Sequence, residues 1–81
     1  MTLTLHPIRV ATGFDEEGMM VLDERQRLVA VLVRLSDENE VAPGQWYLEA
    51  GFGRLDGITH PTFADLDAAK KWISGRFAHR A

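Results

Sequence analysis

The side chains in this sequence best suited to chemistry are its three histidines, His6, His60 and His79. His60 stands out because it lies between Asp56 and Asp65, beside Pro61. An imidazole with carboxylates nearby can serve as a general base. Together with Glu49 and Tyr47 it would mark a small-molecule pocket or a minor active site. The commoner role for such a residue is structural, the ring donating to a backbone carbonyl in a turn, and that role is expected here. The histidines show no short ligand spacing such as H-x3-H, and the chain has no cysteine. Neither a zinc site nor a thiolate nucleophile is therefore expected. Ser36 and Ser74 are the only serines, and neither sits in a G-x-S-x-G elbow.

Two acidic runs, Asp15-Glu16-Glu17 and Asp37-Glu38-Asn39-Glu40, could loosely attract a divalent cation, but neither follows the order of a calcium loop. They read as solvated loop charge. Gly51-Phe52-Gly53 lacks the Lys-Ser/Thr and following helix of a phosphate loop. No catalytic residue, cofactor or metal ligand is predicted, and a protein without catalytic activity of its own is favoured over an enzyme. Lys70, Lys71 and Arg76, with His79 and Arg80, offer an anion-binding or nucleic-acid alternative. The plainer account is a solvated helix face with cations near its C-terminus, where the helix dipole favours them.

The element that must organise the rest is the last, Thr62 to Phe77. Asp65 is the N-cap candidate, Asp67 suits the first turn, and Leu66, Ala69, Trp72, Ile73 and Phe77 recur at helical spacing on one side. Phe63 is placed to pack back on the first turn as a staple. Gly75 costs about 1 kcal/mol against Ala inside a helix and marks either fraying or the helix end.

Before it come strand-like segments. Leu3–Ala11 is expected at an edge because Pro7 lacks a backbone donor. Met19–Asp23 and Arg27–Leu35 are joined by a short polar hairpin loop. Arg27–Leu35 is apolar on both faces, with Val29, Val31, Val33 and Leu35 on one and Leu28, Ala30 and Leu32 on the other. Such a strand expects cover on both sides. Gln45–Leu55 alternates, with Trp46, Leu48, Ala50 and Phe52 against Tyr47, Glu49, Gly51 and Gly53. Arg34 and Glu49 are expected as cross-strand partners. A last edge strand is expected over Ile58–Thr62. The predicted architecture is α+β: an antiparallel β-meander of three to five strands with one C-terminal helix packed on one face, two layers in all.

One helix of about twelve residues, roughly 18 Å long, covers one face of such a sheet. The other is expected to carry Leu28, Ala30, Leu32 and Tyr47 as a dimer or partner surface. With 81 residues the chain is read as a single domain over residues 1–81, marginal enough to gain from added burial. The homodimer is the favoured partner arrangement, sheet on sheet or edge to edge, and an unidentified protein partner is the alternative. Nucleic acid is disfavoured by the net charge of −3. That charge is uneven: residues 1–61 hold five arginines against ten carboxylates, a balance of −5, and residues 62–81 hold four cations against two carboxylates, +2. No apolar run reaches the length of a membrane span, and the N-terminus lacks a secretory signal pattern, so a cytoplasmic protein is expected.

Overall fold

The computed structural model describes residues 2–13, 15–37, 42–57 and 60–78. Its elements are β1 (Thr4–Arg9), β2 (Glu17–Leu22), β3 (Leu28–Arg34), β4 (Trp46–Gly51), a 3-10 turn (Gly53–Leu55), β5 (Thr62–Phe63) and α1 (Leu66–Ala78). The strands form one antiparallel sheet in chain order, β1-β2-β3-β4-β5. The helix closes one face, giving the two-layer α+β arrangement the sequence predicts. No helix of the described residues is long and apolar enough to cross a membrane.

The helix begins where the sequence places it. Asp65 Oδ1 accepts from the Ala68 N–H at 2.8 Å, satisfying one of the orphan donors of the first turn. Ala69 and Ile73 are fully buried, and Trp72 packs on Phe63 with ring centroids 5.5 Å apart. Phe63 thus reaches beyond the first turn. Gly75 does not end the helix, which runs on to Ala78.

Pairing fixes which residues share a face, because directly opposed residues project to the same side. Leu32 opposes Leu48 and Met19; Ala30 opposes Gly51 and Val21; Trp46 opposes Phe63. These positions, with Leu3, Leu5, Leu55 and the helix stripe, make the core. Fully burying an aliphatic side chain contributes about 1.5–3 kcal/mol, so this is the layer that holds the fold.

Two irregularities alter the alternation expected from sequence. In β4, Leu32–Leu48 and Val31–Ala50 are successive pairs, leaving Glu49 as an extra, bulged residue. Beyond it the faces exchange: Ala50 joins Tyr47 on the helix-free side, and Gly51 turns toward the core. In β3, Val29 is the extra residue between the Val21–Ala30 and Leu22–Leu28 pairs. The strand ends at Gly51, and Phe52 is 45% exposed rather than buried beside Trp46. Leu55 then folds back over Gly51 to take the inner place. The last strand is also shifted, to Thr62–Phe63; Ile58 and Thr59 lie outside the described residues.

The β2–β3 hairpin is held by a buried carboxylate. Asp23 Oδ1 accepts from the N–H groups of Arg25 (2.8 Å) and Arg27 (3.0 Å), and Oδ2 accepts from Arg27 Nε at 2.8 Å. This network compensates Gln26, which takes a left-handed φ of 63° without being glycine, a conformation costing about 1–2 kcal/mol.

Candidate interaction surface on the helix-free face

The face opposite the helix is built by residues that oppose one another across all five strands. His6 and Ile8 of β1 meet Met20 and Gly18 of β2. Met20 meets Val31, Gly18 meets Val33, Val31 meets Ala50, Val33 meets Tyr47, and Tyr47 meets Thr62. None of these paired positions carries a carboxylate, an ammonium or a guanidinium group. Ile8, Met20, Val31, Tyr47 and Ala50 are all half-exposed. One corner is covered from within the chain: Gly18 leaves room for Val10 and Ile8, and a Cβ there would lie 2.8 Å from Val10 Cγ2. Val33, beside that corner, is only 2% exposed.

Arg9, Glu17 and Arg34, the charged residues of β1, β2 and β3, occupy the other face, while Glu49 stands exposed on the β4 bulge. Arg9 opposes Glu17 in the register, and Arg34 opposes Trp46. Arg34 Nε lies 3.9 Å from Glu17 and its Nη2 lies 3.4 Å from Asp37, while Arg9 pairs with Glu16. Arg34 therefore does not partner Glu49: it opposes Trp46 on the helix side, whereas Glu49 is the unpaired residue beyond Leu48. The acidic loop is likewise engaged, with Asp15 Oδ1 accepting from the Ser36 N–H at 2.9 Å. Among the described residues, no three of His, Asp and Glu gather as metal donors. Glu38, Asn39 and Glu40 lie outside the described residues.

The expected surface is thus half relocated. Tyr47 lies on the helix-free face. Ala30 and Leu32 are each 0% exposed and belong to the core beneath the helix. Leu28 is 37% exposed at the end of β3, lining a shallow cleft with Phe52 and Phe77. The residues missed by sequence reasoning are Met20, Val31 and Ala50.

His60 sits at the β5 margin of this face. Its Nδ1 lies 2.6 Å from the Leu48 carbonyl oxygen, which can only accept, so Nδ1 carries the proton and Nε2 is left outward. Its ring stacks on Tyr47, with centroids 5.8 Å apart and planes 19° from parallel. A backbone carbonyl, not a carboxylate, orients the imidazole, and the side chain of Asp65 is engaged in capping the helix. Glu49 is exposed on its bulge.

On the helix, Lys71 and Arg76 are exposed and Lys70 is half-buried. The Arg76 guanidinium lies over the Trp72 ring, 4.9 Å from its centroid, so part of its binding capacity is used within the helix. His79 and Arg80 lie outside the described residues. No family model, curated protein or solved structure matches the chain.

Proposed function

We propose that this chain is an interaction module without catalytic activity, and that it pairs with a second copy of itself through the helix-free face of the sheet. The observation that carries the reading is the absence of formal charge at the paired positions of that face, together with the half-exposure of Ile8, Met20, Val31, Tyr47 and Ala50. Paired positions without charge can meet their own image about a two-fold axis without like-charge repulsion, and Glu49, exposed on the β4 bulge, is the carboxylate beside them. An anionic partner such as nucleic acid would need cations there, and the paired positions supply no lysine or arginine. Tyr47 supplies a rigid amphipathic anchor and Met20 an adaptable one.

Joining edge strands is the less favoured geometry. Val10 donates its N–H to Glu16 at 2.8 Å, directed toward β2. Alternation then directs His6 and Ile8 toward β2 as well, and leaves Leu5, Pro7 and Arg9 on the open edge. Pro7 removes the donor from the middle of that edge, a device that discourages strand addition.

The face is small. Four strands about 20 Å long and the two-residue β5, at about 4.8 Å spacing, give at most roughly 20 Å by 20 Å. That is below a standard interface of about 800 Å² per partner, which points to a weak, concentration-dependent dimer. Sedimentation across a concentration series should show the mass rising from one chain to two. Val31→Glu should return a single-chain mass while far-UV circular dichroism stays unchanged. A single-chain mass for the parent up to high micromolar concentration would refute the reading.

A further inference from the structure

Resting on that pairing, we infer that acid releases the two copies from each other, through His6 and His60. The face is uncharged at its paired positions, and His6 is one of them: it opposes Met20 and has Val31 beyond it. His60 flanks the face at its other side margin, stacked on Tyr47 and held through Nδ1, with Nε2 free to take a proton. The two imidazoles therefore stand on opposite margins of the uncharged paired positions, in β1 and next to β5.

Protonation would place a positive charge on each margin of a face that must lose water to pair. Moving an imidazolium out of water without a partner is unfavourable, and a two-fold assembly meets that cost twice for each histidine. The surrounding charges do little to offset it. Arg9 and Glu17 project from β1 and β2 to the helix side, and Arg34 projects from β3 to the same side. Around His60 the shown contacts are the Tyr47 ring and the Leu48 carbonyl. Glu49, exposed and adjacent to Leu48 in β4, is the carboxylate placed to counter the effect, so its removal should sharpen the response.

The test is a sedimentation series on the whole chain at about pH 8 and about pH 5.5, a span that brackets imidazole titration, at fixed ionic strength. The dimer dissociation constant is expected to rise by about tenfold or more at the lower pH, the scale of excluding at least one imidazolium. The double variant His6→Gln/His60→Gln should pair equally at both values, and Glu49→Gln should widen the difference. Far-UV circular dichroism at each pH separates dissociation from unfolding, and His6→Gln alone, halving the response, serves if the double variant does not fold. A dimer with the same constant at both values overturns the inference and leaves the pairing intact. A double variant as acid-sensitive as the parent overturns it as well. A single-chain mass at about pH 8 overturns both.

Discussion

Leu55 occupies the space that any side chain on Gly51 would need: a Cβ there would fall 2.6 Å from Leu55 Cβ and 2.8 Å from its carbonyl oxygen. Opposite Gly51 across the sheet stands Ala30, so two small residues open a hollow in the inner face that the 3-10 turn fills. Leu55, 2% exposed, is a core residue supplied from outside regular strand. Gly51→Ala is therefore expected to destabilise the fold by about 1–3 kcal/mol, the usual cost of overpacking. A lowered urea midpoint with an unchanged slope would show it, and an unchanged midpoint would contradict the account.

Glycine at 75 behaves oppositely. It lies in the helix interior, and a Cβ there meets nothing within 4 Å. Gly75→Ala should stabilise the protein by about 0.5–1 kcal/mol, raising Tm by about 3–6 °C for a domain of this size. A fall in Tm would mean the helix needs flexibility at that point.

The register places Leu32 and its neighbour Val31 on different faces, and this is open to a direct comparison. Leu32→Ala should cost about 2–5 kcal/mol, as deletions in a closed core do. Val31→Ala, on the half-exposed face, should cost less than about 1 kcal/mol in a monomeric sample. Similar losses at the two positions would overturn the assigned register.

Acid should act on the β2–β3 hairpin through Asp23. The N–H of Arg27 holds the Asp23 carboxyl below its ordinary 3.8; burial opposes this, and the N–H of Arg25 and the Arg27 guanidinium add to it. A carboxyl with a depressed value in the folded state adds stability above its ordinary value, and that stability is lost as pH falls through the depressed one. The loss should therefore begin below about pH 4, well under the range proposed for dissociation. Asp23→Asn should be less stable at neutral pH and show a shallower decline below about pH 4. A parallel decline would remove Asp23 from the explanation.

The features legible in the sequence were those with local causes. Asp65 caps because a short carboxylate precedes an apolar stripe at helical spacing, and the sheet order follows from short polar connections between apolar runs. The site was half legible. Tyr47 was correctly separated from Trp46 and Leu48, since alternation holds from Trp46 to Leu48. Past Glu49 it fails, because one bulged residue sends every later side chain to the other face. The face of β3 could not be read from its own residues either, since both are apolar. Only its pairing with β4, a long-range fact, assigns Leu32 to the core and Val31 to the surface. The Asp23 network was hidden for another reason: a polar loop sequence gives no sign that one of its carboxylates is 1% exposed.

Strand order that follows chain order also favours assembly by local pairing. Each strand meets its neighbour in sequence, so the sheet can zip together from adjacent segments. The helix that shields Val21, Leu32 and Leu48 is the last element of the described residues. Until it docks, such a sheet has its inner side bare, a form open to mispairing and attractive to a chaperone.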